Sequence, residues 1–454
     1  MNNRDINDIK IPLPKEVEKA LDMLSAAGYE AYIVGGCVRD ALRGVEPHDY
    51  DMTTSAEPQE TEEVFAGFRL IETGIKHGTV TVLMDGEPLE ITTFRTDGAY
   101  SDGRHPDSVS FTRSITEDLA RRDFTVNAIA YSPTLGFADP FGGAADIERK
   151  VLKAVGEPRE RFTEDALRIM RGLRFSAVLG YTIEPKTAQA MRDTVALLDR
   201  ISGERIFVEL KKLLCGDRAG DIIREYSDIL ANVLPPLAKM RGFEQRTPYH
   251  AYNVLEHTIR VVENVPQEPT LRLAALLHDT GKPDCATYDA DGSGHFHGHP
   301  EVSAKHAESF FKRMKSDAET RDNVAELIKY HDFRFPPERP HVARMLGRIG
   351  ETQLRRLFIL KRADVLAQNP APEYMARVED IDRSVAVMED IIREGDCCSV
   401  SQLAVKGGDL IAAGIKPGPG MGGILGALLE DVIDGRLPNE REALLTAAKK
   451  RAEE

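Results

Sequence analysis

Apolar residues along this chain follow two different spacings, and the change occurs near residue 146. Before that point, short apolar runs such as 31–34, 79–84 and 89–94 are bounded by turn residues, which is typical of β-strands. Beyond it, apolar residues recur every three or four positions, as they do on one face of an α-helix. The pattern therefore predicts an α+β protein in which a mixed-sheet head is followed by all-α segments.

A hairpin and a long polar segment follow within the predicted sheet. The turn residues 85–88 separate the strands 79–84 and 89–94. On the second strand, Glu90 could point toward other acidic groups or be a plain surface charge. Residues 97–110 are rich in Gly, Asp, Ser and Pro, which predicts a flexible loop.

The first predicted strand leads into a segment with the features of a phosphate site. Gly35 and Gly36 lack a Cβ, so the backbone can turn there and approach a ligand closely. A short helix is expected over 38–42, and free N–H groups at a helix start can face an anion. Asp49 and Asp51 alternate as on a strand, which directs both carboxylates to one side. Such oxygen pairs suit Mg²⁺ and the phosphates that it binds.

This order of strand, glycine pair, helix and Asp-x-Asp resembles the polymerase-β type nucleotidyltransferases. Within them it is similar to the class II tRNA nucleotidyltransferases, which include the CCA-adding enzymes, and to bacterial poly(A) polymerases. Their first motif, GGxVRD followed by a D-x-D strand, is matched by Gly35, Gly36, Val38, Arg39, Asp40, Asp49 and Asp51. The resemblance implies that Asp49 and Asp51 bind Mg²⁺ in catalysis, with Glu90 as a third carboxylate on a neighbouring strand.

Residues 121–128 read RRDFTVNA and match a second motif of the same family, RRDFTxNA. Taken alone, the segment could be a helix start with two surface arginines. A nucleotide offers another explanation, because Arg suits a triphosphate and Asp can accept hydrogen bonds from ribose hydroxyls. In the family this motif distinguishes ribose from deoxyribose, which implies nucleotide binding by Arg122, Asp123 and Asn127, together with Arg39 of the first motif.

The next helix offers polar groups that could read a base. Thr163 is expected to cap it, and its apolar face is formed by Ala166, Ile169, Met170, Leu173 and Ala177. Asp165 and Arg168 lie on another side, where a surface ion pair is the usual arrangement. An Asp can also accept from an exocyclic amine while an Arg donates to the adjacent ring nitrogen, which fits cytosine and adenine but not uracil or guanine.

The ED-xx-R helix matches the amino-acid template of the family. The resemblance therefore implies that this helix contributes Asp165, Arg168, Arg171 and Arg174 to nucleotide recognition. Residues 202–205 read SGER and are similar to the last motif of the family's head and neck, for which no separate role is predicted.

A second set of metal-ligand residues lies between positions 246 and 370. An adjacent His-Asp pair near an apolar helix at 271–278 is unusual, because burying both groups is costly unless a metal or another group pairs with them. The spacing resembles HD-domain phosphohydrolases, in which a mono- or binuclear centre activates water against a phosphoester. The implied ligands are His257, His278, Asp279, His299, His331 and Asp364, and imidazole nitrogen suits a transition metal.

Composition limits the class of protein without identifying it. The 454 residues allow two to four domains, and the five cysteines without a leader or long apolar run favour a reduced, cytoplasmic protein with no membrane association. The net charge of −15 argues against general nucleic-acid binding. Residues 149–212, however, carry 14 Lys and Arg against 9 Asp and Glu, which permits a local contact with tRNA.

Together these features predict four segments. They are a nucleotidyltransferase head (1–145), a helical neck with the nucleotide-recognition helix (146–245), an HD domain (246–395) and a helical tail (396–454). The tail contains a glycine-rich turn around 415–422, which could bind phosphate or form a tight helical corner.

The resemblance implies template-independent addition of CCA to the 3′ end of tRNA. The predicted partners are tRNA, CTP and ATP, and the reaction would use Mg²⁺ in the head and release pyrophosphate. A poly(A) polymerase or an enzyme adding only the terminal A shares the head motifs and stays an alternative. A phosphohydrolase acting through the HD domain is a second alternative. The sequence gives no oligomeric state.

Overall fold

The computed structural model describes residues 6, 9–74, 78–98, 109–334 and 336–453. The chain divides into two compact units, Met1–Pro235 and Pro236–Glu454. The predicted division into four segments is finer than these two units and stays a prediction.

Among the described residues, nine strands belong to the first part of the chain, and seven of them form one sheet. They are β1 (Ala31–Val34), β2 (Met52–Thr54), β3 (Arg69–Gly74), β4 (Thr79–Met84), β5 (Glu87–Thr93), β6 (Arg95–Asp97), β7 (Val109–Phe111), β8 (Ala130–Ser132) and β9 (Gly136–Ala138). The order in the sheet is β3-β4-β5-β2-β1-β8-β9, with β6 and β7 forming a separate pair.

The pairing directions make this a mixed sheet, as predicted. Strand β2 runs parallel to β5, with Met52 beside Ile91, whereas β1 is antiparallel to both of its neighbours, β2 and β8. Ile33 lies beside Met52, and Val34 lies beside Ala130. The end of β1 and the starts of β2, β5 and β8 therefore share one edge of the sheet, and the chain segments at this edge carry the first two motifs.

The hairpin of β4 and β5 is tighter than predicted. Only Asp85 and Gly86 form the turn, with φ angles of 52° and 100°, and β5 already begins at Glu87. Two successive residues with positive φ match the right-handed twist of the flanking strands, so a two-residue turn suffices.

The predicted loop over 97–110 coincides with a strand pair at its described ends. Asp97 pairs with Val109 between β6 and β7, so these positions are strands and not loop. Residues 99–108 lie outside the described residues, and the loop prediction is not tested there.

The first helices of the first unit precede the strands or lie between them in the sequence. From residue 143 onward, helices follow one another with short connections. The helices are α1 (Lys15–Ala26), α2 (Gly36–Leu42), α3 (Pro58–Val64), α4 (Ile115–Ala120), α5 (Gly143–Arg149), α6 (Pro158–Glu164), α7 (Leu167–Leu179), α8 (Pro185–Thr194), α9 (Gly203–Leu214) and α10 (Ala219–Val233). A short parallel pair, β10 (Val151–Leu152) and β11 (Thr182–Ile183), lies within this predicted helical region.

The second unit is helical apart from one two-stranded pair, β12 (Thr287–Tyr288) and β13 (Gly294–His295). Its helices are α11 (Pro236–Met240), α12 (Val254–Asn264), α13 (Pro269–Leu277), α14 (Lys282–Cys285), α15 (His299–Met314), α16 (Ala318–Tyr330), α17 (Arg339–Leu366), α18 (Pro372–Glu394), α19 (Gly407–Ala412), α20 (Gly420–Ile433) and α21 (Arg441–Glu453). Gly350 has a φ of 77° and kinks α17. Among the described residues, no helix combines the length and the apolar character that crossing a membrane requires.

A buried apolar cluster lies directly behind the shared edge of the sheet. Its members come from β1, β8 and the segments around them, namely Tyr32, Val34, Phe94, Leu119, Ala128, Ala130 and Val155. Because these side chains are close-packed and buried, they fix the strands whose ends carry the polar motif residues.

Gly347 provides a test of packing in the second unit. A Cβ at this position of α17 would lie 1.8 Å from the carbonyl oxygen of Cys398, whereas a Cβ at Gly423 of α20 would meet nothing within 4 Å. We expect Gly347→Ala to destabilise the protein by about 1 to 3 kcal/mol through overpacking. Thermal unfolding should show a Tm lowered by several degrees, and an unchanged Tm would contradict the close approach.

The matched control is Gly423→Ala, which makes the same chemical change in another helix of the unit. Since alanine favours the helix over glycine and open space surrounds this position, its Tm should be unchanged or slightly raised.

Candidate active site

The turn after β1 brings the backbone of the first motif close to the side chains of the site. Gly35 has a φ of 82°, which glycine adopts without strain, and a Cβ here would lie 3.1 Å from Nη1 of Arg122. Helix α2 starts at Gly36, two residues earlier than predicted. The absence of a side chain at Gly35 therefore lets the chain pass directly from strand to helix beside a guanidinium group.

Asp49 and Asp51 lie in the segment leading into β2, and the prediction that they belong to the strand is wrong. The strand begins at Met52, although the carbonyl oxygen of Asp51 accepts a hydrogen bond of 2.9 Å from the backbone N–H of Val34. Both aspartates are exposed. They thus project from a loop at the edge of the sheet, anchored by one backbone bond.

Glu90 lies in the same cavity as the two aspartates. This cavity measures about 870 Å³ and is lined by Asp49, Asp51 and Glu90, among others. The parallel register of Met52 with Ile91 places the residue before each strand partner, Asp51 and Glu90, side by side. Three carboxylates therefore face one solvent-accessible space, although a role for Glu90 as a ligand stays a prediction.

The electrostatic environment of Asp51 disfavours its charge when no cation is present. Desolvation raises the pKa of Asp51 and the nearby Asp49 adds to this rise, whereas Arg122 opposes it. A divalent cation would relieve the repulsion between the carboxylates, because an opposite charge favours the ionised form.

All ten residues that the sequence predicts to bind the nucleotide line one cavity of about 460 Å³. They are Gly35, Gly36, Arg39, Arg122, Asp123, Asn127, Asp165, Arg168, Arg171 and Arg174. Asp51 lines this cavity as well as the carboxylate cavity. The two spaces therefore meet at one aspartate.

A hydrogen-bonded chain joins three elements across the wall of this cavity. Arg39 of α2 donates from Nη1 to Oδ1 of Asn127 over 2.6 Å, and Asn127 donates to Oδ1 of Asp123 over 3.1 Å. From α7, Arg171 donates through Nε to Oδ2 of Asp123 over 2.8 Å. Asp123 thus connects the second motif to both the first motif and the neck helix.

Asp123 is buried and yet ionised. Burial alone would raise the pKa of this carboxyl, but the charge of Arg171 and the hydrogen bond from Asn127 outweigh it and hold the pKa at about 2. The carboxylate is therefore an acceptor over the whole neutral range.

Asp118 of α4 forms ion pairs with the two arginines of the second motif. Its side chain is fully buried and lies 2.8 Å from Nη2 of Arg121 and 3.5 Å from Nη2 of Arg122. Burial lowers the pKa of Arg122, whereas Asp118 raises it. The ion pairs keep two cationic groups beside the turn at Gly35, where an anionic phosphate would enter.

Phe175 forms a platform for three guanidinium groups of the cavity. The guanidinium carbons of Arg174, Arg171 and Arg39 lie 4.0, 5.3 and 5.4 Å from its ring centroid. The attraction of a cation to an aromatic face is worth about 0.5 to 2 kcal/mol, depending on solvation. The ring therefore helps to hold three like charges close together.

The recognition helix begins later than predicted, and Thr163 does not cap it. Thr163 lies inside α6, where its hydroxyl donates to the carbonyl oxygen of Arg159. Helix α7 starts at Leu167, whose backbone N–H donates to Oδ1 of Asp165 over 3.0 Å. Asp165 lies in the break between the helices and accepts from a free N–H at the start of α7, which is the kind of contact that Thr163 was expected to make.

The predicted base-reading side chains, Asp165 and Arg168, line the same cavity but have separate partners. Oδ2 of Asp165 accepts from Nη2 of Arg205 over 3.0 Å. Arg168 donates from Nη1 to Glu164 and from Nη2 to the carbonyl oxygen of Arg121, both over 2.8 Å. Each template side chain is thus oriented by a neighbour and not by the other.

Sequence reasoning missed Phe175 and Arg205. The signal for Arg205 was present in the SGER motif, which had no assigned role. Phe175 gave only a weak signal, since it follows Arg171 by four residues on an otherwise ordinary helix. Both residues line the cavity through tertiary packing.

The second ligand set converges on one carboxylate in the helical unit. Nε2 of His257 and of His278 each lie 3.2 Å from Oδ2 of Asp279, whereas Nε2 of His299 and of His331 lie 3.3 and 3.6 Å from Oδ1. Each oxygen of Asp279 therefore faces its own pair of imidazoles.

Asp364 completes one side of this cluster. Its Oδ1 lies 3.0 Å from Nε2 of His257 and 3.9 Å from Nε2 of His278. Burial opposes ionisation of Asp364, but the hydrogen bond and charge of His257 lower its pKa well below the usual value. The six predicted ligands are thus brought together by the fold.

The other ring nitrogen of each histidine bonds a backbone carbonyl. Nδ1 of His257, His278, His299 and His331 lies 3.1, 2.8, 2.8 and 2.6 Å from the carbonyl oxygens of Ala367, Ala275, Phe296 and Ile328. Because a carbonyl oxygen can only accept, each Nδ1 carries a proton, and Nε2 is the nitrogen that could bind a metal.

Lys282 and a polar cavity of about 340 Å³ adjoin the cluster. Nζ of Lys282 lies 2.7 Å from Oδ2 of Asp279 and donates to Gln245 over 2.9 Å. Arg334 and Arg377 also line the cavity, so it offers positive charge next to the histidines.

Three family descriptions match successive parts of the chain. The Poly A polymerase head domain matches residues 31–153, the probable RNA- and SrmB-binding site of polymerase A matches 180–240, and the tRNA nucleotidyltransferase domain 2 matches 298–448.

Curated relatives match nearly the whole chain. The CCA-adding enzyme of Streptococcus mutans is 36% identical over 96% of this chain and 98% of its own length. That of Limosilactobacillus fermentum is 37% identical over 96% of this chain and 97% of its own length.

Solved structures share the fold. The Bacillus stearothermophilus CCA-adding enzyme in complex with CTP has a TM-score of 0.68 and 30% identity, with 97% of each chain covered. The Thermotoga maritima CCA-adding enzyme complexed with tRNA-CCA has a TM-score of 0.62 and 19% identity, with 99% of this chain and 98% of that chain covered.

The buried Asp123 should make stability depend on pH at the acidic end. Because its folded pKa is depressed to about 2, its stabilising effect is complete above the unfolded value near pH 4 and is lost as the pH falls toward 2. We expect Asp123→Asn to lose about 2 kcal/mol of unfolding free energy between pH 5 and 8. Urea unfolding of wild type and variant should show this difference shrinking below pH 4.

The control for this titration is Asp193→Asn, which changes an exposed carboxylate on α8. It should leave the unfolding free energy nearly unchanged at every pH. A difference between wild type and Asp123→Asn that stays constant down to pH 2 would contradict the ionised, ion-paired state of Asp123.

Proposed function

Because this chain belongs to the family of CCA-adding enzymes, a class of nucleotidyltransferases, we propose that it adds C, C and A in turn to the 3′ end of tRNA, using CTP and ATP. The ligands named for the two relatives of solved structure, CTP and tRNA-CCA, support these substrates. We further propose that the reaction takes place in the cytoplasm.

The observation that carries the proposal is the junction of two cavities at Asp51. One cavity is lined by Asp49, Asp51 and Glu90 among other carboxylates, and the other by five of the predicted arginines together with Asp123, Asn127 and Asp165. A nucleoside triphosphate has a matching polarity, because its phosphates need cationic donors while the atom under attack needs oxygen ligands for a metal nearby. The α-phosphate would thus lie near Asp51.

Asp49 and Asp51 fit a divalent metal ion, which an enzyme of this family needs. Both offer carboxylate oxygens at one cavity, and desolvation together with the nearby Asp49 raises the pKa of Asp51, so a bound cation would favour its ionised form. When bound, Mg²⁺ would lower the barrier by activating the 3′ hydroxyl and neutralising the pyrophosphate.

The remaining residues bind and orient the nucleotide. Arg122 and Arg39 supply positive charge near the turn at Gly35 for the phosphates, and Asp123 offers an ionised acceptor for a ribose hydroxyl. In the reaction, the 3′ oxygen of tRNA forms a bond with the α-phosphorus while the bond to the pyrophosphate oxygen breaks. The protein thus acts mainly by positioning and charge stabilisation.

Base choice falls to Asp165 and Arg168 of the recognition segment. Cytosine and adenine both present an amine beside a ring acceptor, which matches one carboxylate and one guanidinium. Uracil and guanine present the opposite polarity and would leave buried groups unpaired, at a cost of about 1 to 3 kcal/mol each.

The head assignment predicts that the two aspartates are essential for transfer. Asp49→Asn and Asp51→Asn should each lower the rate of nucleotide addition at least a hundredfold and leave tRNA binding nearly intact, because the metals act in the transition state. The measurement is incorporation into tRNA that lacks its 3′ end, with sequencing of the product. Retention of more than about a tenth of the wild-type rate would refute these roles.

The same assay separates the alternatives. Addition of C, C and A supports the proposal, addition of a single A indicates an A-adding enzyme, and long A tails indicate a poly(A) polymerase. Glu87→Gln is the matched control, since Glu87 lines the same carboxylate cavity outside the proposed ligand set. It should stay within about threefold of wild type.

We also propose a second, metal-dependent activity at the histidine cluster. The specific observation is that four Nε2 atoms face the two oxygens of Asp279, with each Nδ1 held by a backbone carbonyl. This donor set fits one or two transition-metal ions, which would supply an activated water for phosphoester hydrolysis when bound. Lys282 and Arg377 would attract the phosphate.

The two centres should act independently. His278→Ala combined with Asp279→Ala is expected to abolish hydrolysis of 2′,3′-cyclic nucleotides in the presence of Ni²⁺, Mn²⁺ or Co²⁺, while CCA addition stays within a few-fold of wild type. Metal content of the purified protein is the second readout. Finding neither bound metal nor hydrolysis in the wild type would refute the activity and leave the head assignment untouched.

A further inference from the structure

A hydrogen-bonded turn precedes α12 and lines the cavity beside the histidine cluster. The backbone N–H of His250 donates to the carbonyl oxygen of Thr247 over 3.4 Å, which closes the turn. Inside the turn, the carbonyl oxygens of Pro248 and Tyr249 accept from the side chain and the backbone N–H of Asn369, each over 2.9 Å. The segment after α17 thus holds the backbone of the turn, which fixes the positions from which Thr247 and His250 extend.

The first and the last residue of this turn each carry a buried polar atom that forms no hydrogen bond within the part of the chain that the structure describes. These atoms are Oγ1 of Thr247 and Nδ1 of His250. Both residues line the same cavity of about 340 Å³. Because a buried polar atom without a partner is costly, two of them in one turn indicate that the cavity receives a polar group of a ligand.

The turn lies next to the residues that would bind the metal, yet His250 is not one of them. Its ring centroid is 5.0 Å from that of His257, and the two ring planes are nearly perpendicular, at 87°. Among the described residues, the groups of ligand atoms that lie within 4.8 Å of one another do not include His250. A ligand group bound by His250 would therefore be a close neighbour of a phosphate at the metal centre, not a part of the centre itself.

The cavity combines two kinds of hydrogen-bonding side chain. Lys282, Arg334 and Arg377 line it and can only donate, which suits phosphate oxygens because these only accept. The hydroxyl of Thr247 and the imidazole of His250, in contrast, can each donate or accept. A hydroxyl group of a substrate has the same dual character, so it can pair with both.

We propose that Thr247 and His250 form a subsite for a sugar hydroxyl next to the phosphoester that the metal centre would hydrolyse. The preferred substrate is then a phosphate ester whose neighbouring carbon carries a hydroxyl, as in a ribonucleoside 3′-phosphate. In a 2′,3′-cyclic nucleotide, the second ester oxygen would accept a hydrogen bond at the same place. This inference rests on the proposed second activity and deepens it by assigning the residues that select the substrate.

The test compares two nucleotides that differ only in this hydroxyl, adenosine 3′-phosphate and 2′-deoxyadenosine 3′-phosphate. Phosphate release by the full-length protein with Mn²⁺ gives kcat/KM for each. The wild type should prefer the ribonucleotide at least about tenfold, and His250→Phe should reduce this preference to less than about twofold, because the deoxynucleotide has no hydroxyl to lose a partner. The loss should appear mainly as a higher KM for the ribonucleotide.

Conservative variants distinguish the hydrogen bonds from the shape of the turn. Asn places an amide near the position of Nδ1, so His250→Asn should restore part of the preference that His250→Phe loses. Thr247→Val removes the hydroxyl and keeps the shape of the side chain, whereas Thr247→Ser keeps the hydroxyl. We therefore expect the preference to fall in Thr247→Val and to persist in Thr247→Ser.

His341→Phe is the matched control, because His341 is an exposed histidine of α17 outside the cavity. Its preference for the ribonucleotide should equal that of the wild type. Metal content per chain should also stay at the wild-type level in every variant. A loss of bound metal in His250→Phe, or an equal loss of activity toward both nucleotides, would overturn the subsite.

Binding without hydrolysis separates failure of the inference from failure of the second activity. Calorimetric titration of the full-length protein in EDTA gives Kd values for the same two nucleotides. A wild type that hydrolyses neither nucleotide refutes the activity, but a preference in Kd that His250→Phe removes would still support the subsite. A wild type without preference, or a preference that His250→Phe leaves unchanged, refutes the subsite alone. If His250→Phe does not fold, Thr247→Val decides by the same criteria.

Discussion

The nucleotide site depends on the buried carboxylate of Asp123. Its oxygens accept hydrogen bonds from Asn127, from Arg171 and from the backbone N–H of Phe124, and through Asn127 they are linked to Arg39. These partners belong to the second motif, the recognition helix and the helix after the glycine turn. One ionised group thus fixes three separately encoded segments around a shared cavity, because an ion pair in a protein interior is costly to break on one side only.

The same constraint explains how an acidic protein can present a site for triphosphates. Its net charge is −15, yet the nucleotide cavity is lined by arginines whose charges are balanced locally by Asp118, Asp123, Glu164 and Glu209. The ring of Phe175 adds a surface on which three guanidinium groups rest. Positive charge is therefore concentrated in the nucleotide cavity, and the carboxylates of the neighbouring cavity remain available for a metal.

In the helical unit, hydrogen bonds likewise fix the orientation of the functional side chains, which here are imidazole rings. Four histidines are held by backbone carbonyls at Nδ1, so their Nε2 atoms face the oxygens of Asp279. Burial lowers the pKa of His257, but the hydrogen bonds that its Nε2 donates to Asp279 and Asp364 outweigh this effect and raise that pKa to about 9. Protons and metal ions compete for the same lone pairs, which links occupancy of the cluster to pH.

The sequence by itself determined the α+β class, the glycine turn, the identity of the ten nucleotide-cavity residues and the six clustered ligands of the helical unit. The class follows from the spacing of apolar residues, whereas the two residue sets were implied by the resemblance of their motifs to those of known families. The tertiary structure alone decided the start of β2 after Asp51, the start of α7 after Asp165, and the partners of Asp165 and Arg168. Strand and helix ends depend on which backbone groups find bonds across the fold, such as the N–H of Val34 with Asp51. The contact of Arg205 with Asp165 joins residues forty positions apart, and no local pattern encodes such a distance because it arises only when α7 and α9 pack together.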